Sequence, residues 1–269
     1  MDDREFALLK KTVASVLRID IDAYKAQQMR RRLEAHVARH EGDVVRFCRR
    51  LETDLAAREA LRAMLTINVT EFFRDPPQFE RLAKDVLPAL LRERPRLNVW
   101  SAGCSYGAEP YSVAILLHTL GAADRARILA TDLDRDALRR ARAGGPYSAA
   151  EVRNVRPAWL RTYFLRDGDG YRVVDWLRRL DIRELDLLSS PFEHGFDLIL
   201  CRNVMIYFSP EVKSRLFQRL RDALRPGGVL FVGATEALLG TDLAGFERMG
   251  GNFYRKAQAT TASGAQRVA

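Results

Sequence analysis

The spacing of apolar residues gives the chain two textures that meet near residue 97. Up to about residue 66, apolar positions recur at three and four, the period of helices buried on one side. "DDREFALLKKTVASVL" reads as a first helix capped by Asp2 or Asp3. In "DAYKAQQMRRRLEAHVARHEG", Ala26, Met29, Leu33 and Val37 make one stripe, and Gly42 is the expected stop. "GDVVRFCRRLE" and "DLAAREALRAML" predict two more helices, so residues 1–72 are expected to form a small helical domain. "TINVTEFFRDPPQFERL" breaks the rhythm, because Pro76-Pro77 can begin a helix but cannot lie inside one. Residues 73–96 then read as a connecting helix, kinked or split at Pro88.

From Leu97 onward strands alternate with helices. "LNVWSAG", "ARILATDLD", "FDLILCRN" and "VLFVGA" read as strands. "EPYSVAILLHTLG", "RDALRRARAG" and "SPEVKSRLFQRLRDALRPGG" read as helices, the last stopped by Pro226-Gly227-Gly228. "FERMGGNFYRK" predicts a closing pair of strands. This alternation predicts an α/β domain over residues 97–257, built on a doubly wound, mostly parallel sheet. Between Tyr163 and Leu188 the rhythm lapses, and "DGDG" predicts a small hairpin inserted at about 161–183. The tail, 258–269, has nothing to pack with and is expected to be disordered.

Composition adds limits. With 269 residues, 47% hydrophobic and 29% charged, the chain can bury one large core or two modest ones. No apolar run approaches the ~20 residues of a membrane span, and "MDDREFALLKK" lacks the apolar centre of a signal peptide. A cytoplasmic protein with no membrane insertion is expected. Cys48, Cys104 and Cys201 are odd in number and widely spaced, which suits free thiols rather than a disulfide frame or a metal site. The net charge of +9 raises the question of nucleic acid, but clustering says more than the total. Eight Lys/Arg stand against three acids between Lys25 and Arg50, a local patch whose partner should be acidic. Within it Lys25, Arg32 and Arg39, seven apart, share one helix face with Arg31 alongside.

The stretch "VWSAGCSYGAEPYSVAILL" (99–117) reads as strand, glycine-bearing turn and helix. Ligands of open parallel sheets sit beyond the carboxyl ends of the strands. Gly103 and Gly107 let backbone approach a ligand, and Asp132, ending the next strand, is placed to accept from both hydroxyls of a ribose. Dinucleotide enzymes share that much. Glu109 differs, because a carboxylate at a helix mouth repels a pyrophosphate and suits a cation. S-adenosylmethionine carries a ribose and an α-ammonium but no phosphate, and the GxGxxG spacing is absent. Carboxylates also sit at helix starts for capping alone, so this motif leaves both readings open.

Five ordered motifs carry a specific resemblance: "NVTEFFRD" (68–75), "WSAGCSYGAEPYS" (100–112), "ATDLD" (130–134), "FDLILCRNVMIYF" (196–208) and "LRPGGVLFVGATEAL" (224–238). Over about residues 1–256 the chain resembles the CheR family, chemotaxis methyltransferases that esterify glutamates of bacterial chemoreceptors. The resemblance implies a class I S-adenosylmethionine-dependent methyltransferase domain, an N-terminal helical domain and a small inserted β-subdomain. It places Asn68, Thr70 and Arg74 against the cofactor, with Arg74 at the methionine carboxylate or beside the reacting centre. Gly103, Glu109 and Asp132 keep their cofactor roles. Asp186 and Leu187 stand where the family usually has Asn-Leu against the adenine. Cys201, Arg202 and Asn203 fall beside the methyl donor, and Tyr207 near the methyl in transfer. Lys25, Arg31, Arg32 and Arg39 would seat acidic receptor helices.

Departures from the family pattern are Ala108, where Glu is usual, and the short loop "RDGDG". Longer loops there bind a C-terminal pentapeptide tether of some receptors, so such docking is not expected. A monomer is expected. A glutamate side chain, ordinarily titrating at a pKa of ~4.3, arrives ionised, so esterifying it needs no general base. In keeping with this, His36, His40, His118 and His194 fall in no motif. Two other classes compete with this one. A nucleic-acid amino-methyltransferase would carry "[DN]PP[YF]" after the fourth strand, where this chain has "CRNVMIY". A non-catalytic cofactor-binding regulator would keep the same loops and differ only in turnover.

Overall fold

Acidic side chains start three of the four N-terminal helices. In the computed structural model, which describes residues 1–258, Asp2 caps α1 (Asp3–Leu17) in a reciprocal box with Glu5. Asp43 caps α3 (Val44–Thr53) and Asp54 caps α4 (Leu55–Thr66). The exception is α2 (Ala26–His40), which follows Lys25 with no side-chain cap. Its entry is fixed from outside: the Lys25 N–H donates to the Tyr207 carbonyl at 2.9 Å, and Tyr24 pairs with Phe208 in an isolated antiparallel bridge. The helical domain therefore docks through the segment that carries Tyr207. Its core is Leu9, Val13, Leu33, Phe47, Leu51 and Leu61. On α2 the buried face is Met29, Leu33, His36 and Val37, while Ala26, expected in that stripe, is exposed.

The connection holds together as one helical run. Pro76 and Pro77 open α5 (Pro76–Arg81), a π-helical turn follows at Leu82–Val86, and α6 (Leu87–Glu93) completes it. Pro88 does not split the helix. Its ring would collide with the Lys84 carbonyl of a regular α-helix, and the widened turn, with the Leu87 N–H reaching the Leu82 carbonyl, makes the room.

The second domain is a seven-stranded sheet. β1 (Leu97–Ala102), β2 (Ala126–Asp132), β5 (Asp181–Glu184), β6 (Phe196–Cys201) and β7 (Leu224–Val232) are parallel, and the antiparallel β8 (Phe246–Gly250) and β9 (Phe253–Lys256) close it. The order is β5-β2-β1-β6-β7-β9-β8, with reversal at β1, and a separate hairpin pairs β3 (Phe164–Asp167) with β4 (Gly170–Val173). The expected insertion reaches too far, because "DIRE" at its end is the edge strand β5 beside β2. Four mostly polar residues on an edge show little of the alternation that marks a strand. Likewise α10 (Pro210–Ala223) stops at Ala223, before the Pro-Gly-Gly turn, which lies inside β7 as an irregularity opposite Phe196 and Leu198.

Side chains alternate between two layers. Val99, Leu198, Leu200, Val229 and Phe231 face α7 (Ala108–Thr119) and the connecting helices. Trp100, Ile199, Cys201, Leu230 and Val232 face α10. α8 (Arg135–Ala143) covers the β2 side through Leu138, and α9 (Pro157–Tyr163) precedes the hairpin. The expected disordered tail lies, from residue 259, outside the described residues. Among those described, no helix is long and apolar enough to cross a membrane.

Candidate active site

The parallel strands end on one side of the sheet, and the segments beyond β1, β2, β5 and β6 surround a cleft open to solvent. Residues 65–71 and Arg74 form its outer wall. Apart from Cys201 and Gly107, which packs against Ala141 and Tyr111, every residue expected at the cofactor or the reacting centre lines this cleft. Cys201 is fully buried on the α10 face, among Trp100, Ile199 and Met205, so its side chain belongs to the core. Burial pushes its thiol pKa well up.

The turn after β1 needs glycine. Gly103 has φ 83°, and a Cβ there would stand 2.4 Å from the Val204 side chain. Asp132, nearly buried at the end of β2, accepts from the Ser105 N–H (2.8 Å) and the Asp134 N–H (2.9 Å). Burial raises its pKa and these bonds oppose the rise. A carboxylate has about four acceptor positions, so two remain for a diol in the cleft.

Glu109, in the first turn of α7, accepts from Ser101 Oγ at 2.7 Å and from Arg202 Nη1 at 3.4 Å. Burial pushes its pKa up, while Arg202 and Ser101 pull it down. The Arg202 side chain is 2% exposed and lies over the rings of Phe79 and Phe231. It also donates to Asp75 (2.7 Å) and to the Arg74 carbonyl (2.9 Å). Arg202 therefore bridges the connecting segment to Glu109, and its bonds go to protein.

Two further lining residues are also bonded within the protein. Asn68 donates to Asp134 Oδ2 at 2.5 Å and accepts from Ser105 Oγ at 2.8 Å, tying the outer wall to the turn after β1. Asp186 folds back on its own turn, with one oxygen accepting from the Leu188 N–H and the other from Ser189 Oγ. The adenine contact expected of its carboxylate competes with those bonds. Leu187, beside it, is buried and lines the cleft. Thr70 and Arg74 stand on the wall, with Arg74 Nη1 bonded to the Val69 carbonyl at 2.9 Å.

Asn203 has φ 60°, and its Oδ1 is buried with no hydrogen-bond partner. An orphaned acceptor in a cleft lined by four carboxylates (Glu71, Glu109, Asp132, Asp186) and only two guanidiniums (Arg74, Arg202) invites a cationic ligand. A pyrophosphate would meet repulsion there. The donor set fits S-adenosylmethionine: Asp132 for the ribose, Glu109 and Asn203 Oδ1 for the ammonium, and Gly103 for close approach.

A model of the family described as CheR methyltransferase, SAM binding domain, matches residues 68–254. The chain belongs to the CheR methyltransferase family. Its cofactor is accordingly S-adenosylmethionine. A chemotaxis protein methyltransferase of Listeria innocua is 35% identical over 94% of this chain and 98% of its own length. Chemotaxis protein methyltransferase 1 of Pseudomonas aeruginosa is 36% identical over 86% of this chain and 87% of its own. A chemotaxis protein methyltransferase of Vibrio parahaemolyticus is 40% identical over 71% of each.

A second groove of this CheR protein joins the cleft. Lys25, Arg31 and Arg32 line it, and Tyr24 and Tyr207 line both hollows. Arg30 and Arg50 of the same basic run are held in ion pairs with Asp3, Glu34, Glu41 and Asp54. The three groove cations have no carboxylate partner among the described residues. Arg39 lies about 10 Å further along α2, exposed and outside the groove. Arg32 is half-buried, bonded to the Met64 carbonyl, and its pKa is lowered by burial. Burial raises the Tyr207 pKa, with Arg32 and Arg74 acting against the rise, so its phenol is a donor at neutral pH. Missed from sequence were Tyr24, which joins the two hollows, and Glu236, a buried carboxylate bonded to the backbone of the segment before Tyr207.

Proposed function

We propose that this chain transfers a methyl group to the γ-carboxylates of glutamates on helical chemoreceptor segments, leaving glutamate methyl esters. The observation that carries the reading is Tyr207, standing where an acid-lined cleft meets a basic groove. A helix bearing several glutamates complements Lys25, Arg31 and Arg32, and an extended one would also reach Arg39. The names of the relatives point the same way.

When bound, S-adenosylmethionine supplies an activated methyl on a sulfonium, whose C–S bond breaks as the O–C bond of the ester forms. The protein's part is to bind, align and dry. Among the described residues no histidine, lysine or cysteine lines the cleft, and none is required to deprotonate a glutamate that is already ionised. The Tyr207 hydroxyl donates to one carboxylate oxygen and holds the other toward the methyl. Arg74 orients the same group from the outer wall. Neither neutralises the carboxylate fully, which would stabilise the ground state as much as the transition state. Alignment of this kind is worth several kcal/mol, up to roughly 7–11 in ideal cases.

The enzyme acts as a cytoplasmic monomer on the receptor helix itself. Only Gly168 and Asp169 join β3 to β4, which leaves no long loop for a receptor's terminal peptide. The test is incubation with labelled S-adenosylmethionine and the cytoplasmic fragment of a chemoreceptor. Label on glutamates, released by mild base, is expected; label stable to base, or on nucleic acid, would refute the proposal.

A further inference from the structure

Glu236 is wholly buried, and its partners are three backbone N–H groups rather than a cation. One oxygen accepts from Asn203 (2.5 Å) and Gly233 (2.9 Å), the other from Ile206 (3.1 Å). Gly233 ends the approach from β7, and a Cβ there would lie 2.4 Å from the Glu236 carboxylate. Two of the three donors belong to the short segment 202–207, which runs from β6 to Tyr207. In that segment Asn203 holds a left-handed backbone and lines the cleft, and its Oδ1 is buried with no partner.

We propose that Glu236 is the positioning residue of methyl transfer, stapling the segment 202–207 so that Tyr207 faces the cofactor's reacting end. The inference rests on the proposed place of Tyr207 in the reacting centre. The segment has two anchors. From outside, Lys25 N–H holds the Tyr207 carbonyl and Tyr24 bridges Phe208. From inside, Glu236 holds the N–H groups of Asn203 and Ile206, the latter adjacent to Tyr207. Only a carboxylate meets the need, because three donors converge on two oxygens. An amide offers one acceptor and turns N–H groups toward the remaining donor. Glu236 touches neither substrate nor cofactor; it acts through Tyr207.

A double-mutant cycle reads that coupling. In a folded enzyme with receptor fragment as substrate, Glu236→Gln should lower kcat about 10- to 100-fold, the scale of a slight misplacement of a reacting group. KM for S-adenosylmethionine should change much less. In a Tyr207→Phe background the same change should lower kcat less than about threefold, since the group it positions is already gone. Equal losses in both backgrounds would overturn the proposal, as would a Tyr207→Phe enzyme with wild-type kcat. Methyl transfer by the wild-type enzyme tests the proposed function separately. Should Glu236→Gln not fold, amide exchange in the wild-type protein decides: protection of Asn203 and Ile206 is expected, and exchange at exposed-loop rates would overturn the staple.

Discussion

Replacing Glu109 by Gln separates what the carboxylate does for the cofactor from what it does for the fold. Arg202 loses a 3.4 Å partner but keeps Asp75 at 2.7 Å and the Arg74 carbonyl at 2.9 Å, with the rings of Phe79 and Phe231 against its guanidinium. The buried ion pair is thus loosened rather than broken, and the cost of burying a carboxylate disappears with it. Thermal unfolding should therefore stay within a few degrees of the wild type. Binding should suffer. A hydrogen bond to a charged group is worth about 1.5–3 kcal/mol, which at 1.4 kcal/mol per decade weakens adenosylhomocysteine about 10- to 150-fold. Titration calorimetry at low salt, paired with a melting curve, reads both quantities. The pH dependence supplies a sign. Because burial raises the Glu109 pKa, wild-type affinity should fall as pH drops through that raised value, and the variant should lack this loss. A folded Glu109→Gln protein that binds adenosylhomocysteine within twofold of wild type would refute the assignment of Glu109 to the cofactor's ammonium.

Charge reversal of Lys25 and Arg31 together should raise KM for a receptor helix about tenfold at low salt and leave adenosylhomocysteine affinity alone, with Arg39→Glu weaker; unchanged KM would remove the groove from substrate recognition. Gly103→Ala should abolish measurable cofactor binding, and adding Val204→Ala should restore only part, because the clash is relieved while φ 83° is not. His36, buried against Phe47 and beside His40, has its pKa lowered to about 4 by burial and neighbouring cations. Its unfolded form takes up a proton near pH 6.5 and the folded form near 4, so the unfolded state holds more protons in that window. Stability should fall by up to about 2 kcal/mol from pH 7 to 5 in urea unfolding. His36→Leu should flatten that slope, and a flat wild-type profile would show that the ring is solvated.

Where a property depends on side-chain period, the sequence was legible. The helical domain, the connecting helix and the strands β1, β2, β6 and β7 follow from apolar spacing and from Asp2 and the prolines. The cleft follows from the position of Gly103, Glu109 and Asp132 at strand ends. What escaped depends on direction. Cys201 ends a strand beside the cleft, but the two-residue alternation turns it to the α10 face. Asn68 and Asp186 line the cleft as their loops imply, but their bonds to Asp134, Ser105, Leu188 and Ser189 have no signal in residue type. Glu236 stands in the last of the five motifs, but its partners are backbone N–H groups, which no residue type announces. β5 is too short and too polar to show a period. Arg39 shares a face with Lys25 and Arg32 by spacing alone, while the groove ends before it.

A crystal structure with adenosylhomocysteine tests the central claim most directly. The expected result has the ribose hydroxyls on Asp132, the amino group within hydrogen-bond distance of Glu109 or Asn203 Oδ1, and the sulfur toward Tyr207. A ligand bound in the reverse sense, with its amino end away from Glu109 and Asn203 and its sulfur remote from Tyr207, would contradict it.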